Sequence, residues 1–170
     1  LLLGIAAVCL AGFTFAQDAP LWMRHSVISP DGTTIAFTYK GDIYTVPVAG
    51  GRAMQITTNP AYDTAPVWSP DSKRIAFASD RMGSLDVYIV AKDGGEPRRL
   101  TTHSGSETPL AFTDAGHVLF SAGIMPSAEA VVFPSNGQFN QVYRVSVEGG
   151  RPTMISSMPM ECISINKEGA

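Results

Sequence analysis

An all-β chain built from repeated four-stranded units is what the 170-residue sequence predicts, and three observations predict it. A turn phrase recurs: Ser29-Pro30-Asp31-Gly32 leads into Ile35-Ala36-Phe37, and 40 residues later Ser69-Pro70-Asp71-Ser72 leads into Ile75-Ala76-Phe77. Three later landmarks recur 44 residues apart: Ile43-Tyr44 with Val87-Tyr88, Gly50-Gly51 with Gly94-Gly95, and Thr57-Thr58 with Thr101-Thr102. A third copy keeps the register, since Val142-Tyr143, Gly149-Gly150 and Ser156-Ser157 all lie 55 beyond their second-copy partners. Four short strands in each repeat of about 40 to 45 residues is the signature of a β-propeller blade. A β-sandwich with coincidental turns is the competing reading, but sandwich strands do not repeat whole phrases at one offset.

Each element has a local reason. In Ser-Pro-Asp-Gly, proline presets φ at the second turn position, aspartate suits the third, and glycine accepts the conformation that follows. The strand after the turn alternates, with Ile35, Phe37 and Tyr39 on one face and Thr34, Ala36 and Thr38 on the other. Ala36 and Ala76 are small where neighbouring sheets would press together. The next strand runs over 42–48, with Tyr44, Val46 and Val48 on one face; Tyr88 and Val90, then Tyr143, Val145 and Val147, are its counterparts. The Gly-Gly pair makes a hairpin turn that requires positive φ. A short polar strand follows over 53–57, suited to an outer edge. A fourth strand leads into the next turn, as in Pro66-Val67-Trp68. The change of offset from 40 to 44 is a four-residue insertion in the loop 79–85, and a longer one in the third copy falls within 121–141. That longer segment is the best place for a specialised loop.

Residues 1–16 are almost wholly apolar and uncharged. The stretch is too short for a spanning helix and reads as the core of a secretory signal peptide. Thr14-Phe15-Ala16 places cleavage before Gln17. Lipidation at Cys9 is disfavoured by Val8, and an uncleaved anchor or a buried segment is the remaining alternative. The expected organisation is therefore a truncated signal peptide over 1–16 and the N-terminal part of a propeller over 17–170. Its blades fall at about 22–60, 61–104 and 105–158, and a further blade starts over 159–170. Propellers close with four to eight blades, so the natural protein is expected to be longer at both ends.

Composition narrows the function. Hydrophobic residues make up 45% and the mean hydropathy is +0.10, which permits a real core. Twelve basic and 15 acidic residues leave a net charge of -3, with no basic patch for nucleic acid. No stable membrane span is expected after signal cleavage. Cys9 lies in the leader, so Cys162 has no partner for a disulfide, and cysteine-based zinc sites are excluded. No nucleophile elbow, His-Glu-x-x-His, phosphate loop or Cys-x-x-Cys is present. No cofactor, metal or catalytic residue is therefore assigned. His25, His103 and His117 occupy different phases of the repeat and read as structural or solvated residues. Ser104 and Ser106 lie too close in sequence to His103 and Glu107 to converge easily as a triad.

The candidate binding residues are Asp63 and Glu107. They lie 44 apart, each just before the first strand of a blade. Such strands line the central channel of a propeller, so the two carboxylates are expected exposed at its mouth. There they would attract a cation or the amino end of a peptide. The alternative is that each caps its own turn. Tyr62 and Trp68 read as packing residues.

The phrases Trp68-Ser69-Pro70-Asp71, Ile75-Ala76-Phe77-Ala78-Ser79-Asp80-Arg81, Val87-Tyr88 and Asp93-Gly94-Gly95 resemble the propeller repeats of TolB and its relatives. Such repeats also occur in tricorn-type proteases and prolyl-oligopeptidase-like enzymes. Leu21-Trp22-Met23-Arg24 with Ile28-Ser29-Pro30-Asp31-Gly32, Lys40-Gly41-Asp42-Ile43-Tyr44 and Pro47-Val48-Ala49-Gly50-Gly51 resemble the exported tricorn-like serine peptidases. That resemblance implies a propeller that gates or docks a peptide or protein substrate in the periplasm or outside the cell. Its nucleophilic serine would lie beyond Ala170. The alternatives are a non-enzymatic TolB-like interaction propeller of the envelope and a propeller attached to an α/β-hydrolase peptidase.

Overall fold

In the computed structural model, residues 22–123 and 140–156 are described. They form twelve strands: β1 (Arg24–Ile28), β2 (Thr34–Tyr39), β3 (Asp42–Pro47), β4 (Met54–Gln55), β5 (Asp63–Trp68), β6 (Arg74–Ser79), β7 (Asp86–Ala91), β8 (Arg98–Arg99), β9 (Glu107–Asp114), β10 (His117–Ala122), β11 (Gln141–Ser146) and β12 (Thr153–Ser156). These make three antiparallel four-stranded sheets in sequence order, β1–β4, β5–β8 and β9–β12. The all-β propeller-blade architecture expected from the repeats is what the chain adopts. The expected signal peptide and the start of a further blade lie outside the described residues. Among the described residues no helix is long and apolar enough to cross a membrane.

Serine and aspartate build the turns. Ser29 Oγ donates to Asp31 Oδ1 at 2.6 Å and accepts from Thr34 N at 3.0 Å, while Thr33 N donates to Asp31 Oδ1 at 3.0 Å. The second copy repeats the pattern with Ser69, Asp71, Lys73 and Arg74. Gly32 (φ 73°) and Ser72 (φ 56°) are both left-handed, so the second copy tolerates a side chain where glycine is the easier choice. The third copy closes differently: Gly116 N and His117 Nδ1 both bond Asp114. Because Ser69 is fully buried and its hydroxyl joins both strands of the turn, Ser69→Ala is expected to cost about 1–3 kcal/mol in urea unfolding.

The strand leading into each turn pairs with the strand after it, so it opens its sheet. This opening strand carries a bulge at the same place in all three sheets. His25 and Ser26 stand opposite Phe37, Ala65 and Pro66 opposite Phe77, and Pro109 and Leu110 opposite Phe120. The strands β1, β5 and β9 each have a partner on one edge only, and they lie against one another. Bulges and prolines blunt such an edge against stray pairing. The outer strand is shorter than the expected 53–57. At Thr57 the side-chain oxygen takes over from the ladder and accepts from Ile43 N at 3.0 Å, and Thr101 does the same for Val87 N at 2.9 Å.

Two hydrophobic cores glue the three sheets. In the first, Trp68, Ile75, Phe77, Tyr88 and Val90 meet Ala36, Ile43 and Ile56. In the second, Ala76, Val87, Ile89 and Leu100 meet Phe112, Val118, Phe120, Tyr143, Val145 and Val147. Large aromatics thus pack on Ala36 and Ala76, the positions expected to be small. Trp68 and Phe77 face the neighbouring sheet as expected, and Trp68 Nε1 donates to Val27 O at 3.2 Å. The cross-strand pairs Phe37–Tyr44, Phe77–Tyr88 and Phe120–Tyr143 stack with centroids 5.9, 5.9 and 5.7 Å apart.

Candidate functional site

Asp63 and Glu107 open β5 and β9 and occupy equivalent positions. Asp63 pairs with Ser79 and Glu107 with Ala122, each at the far end of the adjoining strand. Their backbone amides reach back to the preceding sheet, Asp63 N to Gly41 O and Glu107 N to Leu85 O, both at 2.7 Å. The two residues therefore lie at the same end of adjacent blades.

Their side chains correct the expectation of exposed carboxylates. Asp63 is 0% and Glu107 1% exposed. Neither caps its turn: among the described residues neither carboxylate accepts a backbone N–H. The reason is the neighbouring sheet, which closes over the start of each opening strand.

Each acid sits in a joint of two carboxylates and one arginine. At the first joint Arg81 Nη2 bonds Asp63 Oδ2 at 2.8 Å and Oδ1 at 3.1 Å, and its Nε donates to Ser79 Oγ at 2.8 Å. The guanidinium lies 4.7 Å from the Tyr88 ring centroid and 5.6 Å from that of Phe77. Asp42, the second carboxylate, accepts from Gln55 and Thr57. Burial pushes the Asp42 carboxyl up and Asp63 adds to this, while Thr57, Gln55 and Arg81 oppose it. At the second joint Arg99 Nη2 pairs with Asp86 Oδ2 at 2.8 Å, not with the acid that opens the next sheet. Neither Glu107 oxygen makes a well-formed hydrogen bond among the described residues, although the Thr101 hydroxyl lies close enough to favour the ionised form. Burial raises it to about 7, and Asp86 adds to the rise against the Thr101 hydroxyl and Arg99.

Sequence reasoning missed Asp42, Asp86, Arg81 and Arg99. The signal for the first two was available, since they share the same offset of 44. Arg81 stood in the repeat phrase that ends Ser79-Asp80-Arg81 and Arg99 in the short outer strand, but nothing local shows that they serve different acids.

The histidines are separate. His25 Nδ1 meets Thr64 Oγ1 at 3.1 Å, His103 Nδ1 accepts from Gly105 N at 2.9 Å, and His117 pairs with Asp114. His103 thus closes its own turn, and Ser104 and Ser106 are not drawn into a triad with it. Among the described residues no three His, Cys, Asp or Glu side chains gather as metal ligands.

The exposed residues at this end of the sheets are different ones. Trp22, just before β1, is 71% exposed, and Tyr62, just before β5, is 42% exposed. Tyr62 lies against the Gly41 turn of the first sheet, where a Cβ would stand 3.5 Å from its ring. It is therefore less a packing residue than the sequence suggested. Lys40 and the exposed Met82 stand in turns at the same end.

A family model described as the tricorn protease N-terminal beta propeller domain matches residues 20–170. The tricorn protease homolog 1 of Streptomyces coelicolor is 35% identical over 102 residues, covering 59% of this chain and 9% of that protein. The uncharacterized peptidase YuxL of Bacillus subtilis is 32% identical over 108 residues, covering 56% of this chain and 16% of that protein. Among solved structures, the putative TolB from Agrobacterium tumefaciens superposes with a TM-score of 0.63 at 22% identity, over 81% of this chain and 50% of that one. The chain spans under a fifth of either curated relative.

Proposed function

From the premise that the chain belongs to the tricorn protease N-terminal β-propeller family, we propose that it is the propeller segment of an exported, tricorn-like serine peptidase. In this reading it docks or gates peptide substrate, and bond cleavage is carried out by residues outside it. The observation that carries the reading is the family match across residues 20–170, on sheets whose one-sided strands β1, β5 and β9 lie side by side. The resemblance to periplasmic TolB-like repeats and the apolar leader support export.

The peptide contacts belong to exposed side chains at the end where Asp63 and Glu107 lie. Trp22 and Tyr62 offer rigid aromatic surface at equivalent positions of adjacent blades, with Lys40 and Met82 beside them. Asp63 acts from beneath, where its pair with Arg81 fixes the start of β5. Trp22→Ala combined with Tyr62→Ala in the full-length protein should weaken binding of a fluorescent unstructured peptide about tenfold, or ~1.4 kcal/mol. Unchanged affinity in a folded double variant rules out docking at this end. A serine-directed phosphonate probe should label the full-length protein outside residues 17–170. Label on Ser104 or Ser106 would overturn the assignment of catalysis to another part of the protein.

A further inference from the structure

The two joints are built from the same positions and end in different states. Asp42, Asp63 and Thr57 in the first correspond to Asp86, Glu107 and Thr101 in the second, each 44 residues on. In the first joint the arginine holds the acid that opens the next sheet, and the other acid keeps two side-chain hydrogen bonds. In the second joint the arginine holds Asp86, and Glu107 is sealed with no ion pair and no well-formed hydrogen bond at either oxygen among the described residues, the Thr101 hydroxyl alone favouring its charged form. A buried carboxylate with neither a counter-ion nor a hydrogen bond is costly, whereas a protonated one can donate to an adjacent carboxylate.

We propose that Asp86, Glu107 and Arg99 form a proton-controlled joint between the second and third sheets. With one proton on the carboxyl pair, the cluster of Asp86, Glu107 and Arg99 is neutral and the sheets hold tightly. Loss of that proton leaves one unmatched negative charge, and the joint loosens.

The charged surroundings are few. On β7 the neighbour is Asp86 and on β8 it is Arg99; Arg98, also on β8, is paired with the exposed Glu148 of the third sheet. Strand β10 presents Ala122 opposite Glu107, and its titratable His117 is paired with Asp114 at the other end of the strand. From β5 and β6, which also pack on β9, Asp63 is neutralised by Arg81. Arg74 reaches Ala115 O at the opposite end. Nothing else charged among these elements competes for the proton.

The sign follows from linkage. Burial in the closed joint raises the Glu107 carboxyl from its ordinary 4.5 to about 7, and opening to water would return it toward the ordinary value, so the closed joint binds the proton more tightly. Its stabilisation is complete below the open-state value, falls as pH rises between the two, and is gone above the closed-state value.

The test is amide hydrogen exchange on the full-length protein, read at Glu107 N–H and Leu100 N–H and corrected for intrinsic rates. The opening equilibrium at these amides should climb up to tenfold per pH unit across that window and then level off, as one proton requires. Glu107→Gln, which keeps the shape without the titration, should give a flat profile and the more closed joint at pH 8. Asp86→Asn frees Arg99 for Glu107 and should also remove the climb. A flat wild-type profile would overturn the proposal, and so would a climb that persists in either variant. Should Glu107→Gln not fold, the Asp86→Asn profile alone decides.

Discussion

Arg81→Met is expected to destabilise the protein by about 3–5 kcal/mol in urea unfolding, because it strands a buried charge. Asp63 has no exposed surface, and Arg81 is 12% exposed in its side chain. Arg81 Nη2 contacts both carboxylate oxygens, and no other cation contacts Asp63 among the described residues. Methionine keeps the apolar stem over Phe77 and Tyr88, so the loss reports the charge rather than the packing. Adding Asp63→Asn to Arg81→Met should recover a large part of the loss, because the unpaired charge is then gone. A double-mutant cycle measures this directly. A cost below about 1 kcal/mol for Arg81→Met would mean the pair behaves as an exposed bridge.

Phe77→Ala is expected to cost about 3–5 kcal/mol, the range for removing a buried aromatic from a closed core. Phe77 is fully buried, stacks on Tyr88, and packs in one cluster with Trp68 and Ala36 across the first joint. Ala36 has only a methyl fixed on its backbone and no longer side chain to swing into the void, which keeps the cavity term large. Phe120→Ala at the second joint should cost a similar amount. The two residues belong to different clusters, so the double variant should lose close to the sum. A much smaller double loss would show that the joints are one cooperative unit.

Most of the scaffold is legible in the sequence, and particular residues show why. Ser29, Asp31 and Gly32 form their turn with each other, within five residues, so the phrase carries its own geometry. The Gly-Gly hairpins are equally local: Gly50, Gly51, Gly94, Gly95, Gly149 and Gly150 all have positive φ. The pairs Phe37–Tyr44 and Phe77–Tyr88 follow from strand alternation once the hairpin register is set. The site was less legible. Asp63 and Glu107 were recognisable as equivalent, but not as buried.

The sequence by itself determined what depends on short range and on repetition: the turns, the strand faces, the small residues at Ala36 and Ala76, and the register of three copies. The tertiary structure alone decided the state of the carboxylates. Whether Asp63 meets water depends on the sheet that closes over it and on Arg81, supplied from the insertion 18 residues away. Whether Glu107 is paired depends on which acid Arg99 reaches. Burial and charge pairing are set by groups brought together across a blade joint, and no local periodicity encodes that meeting.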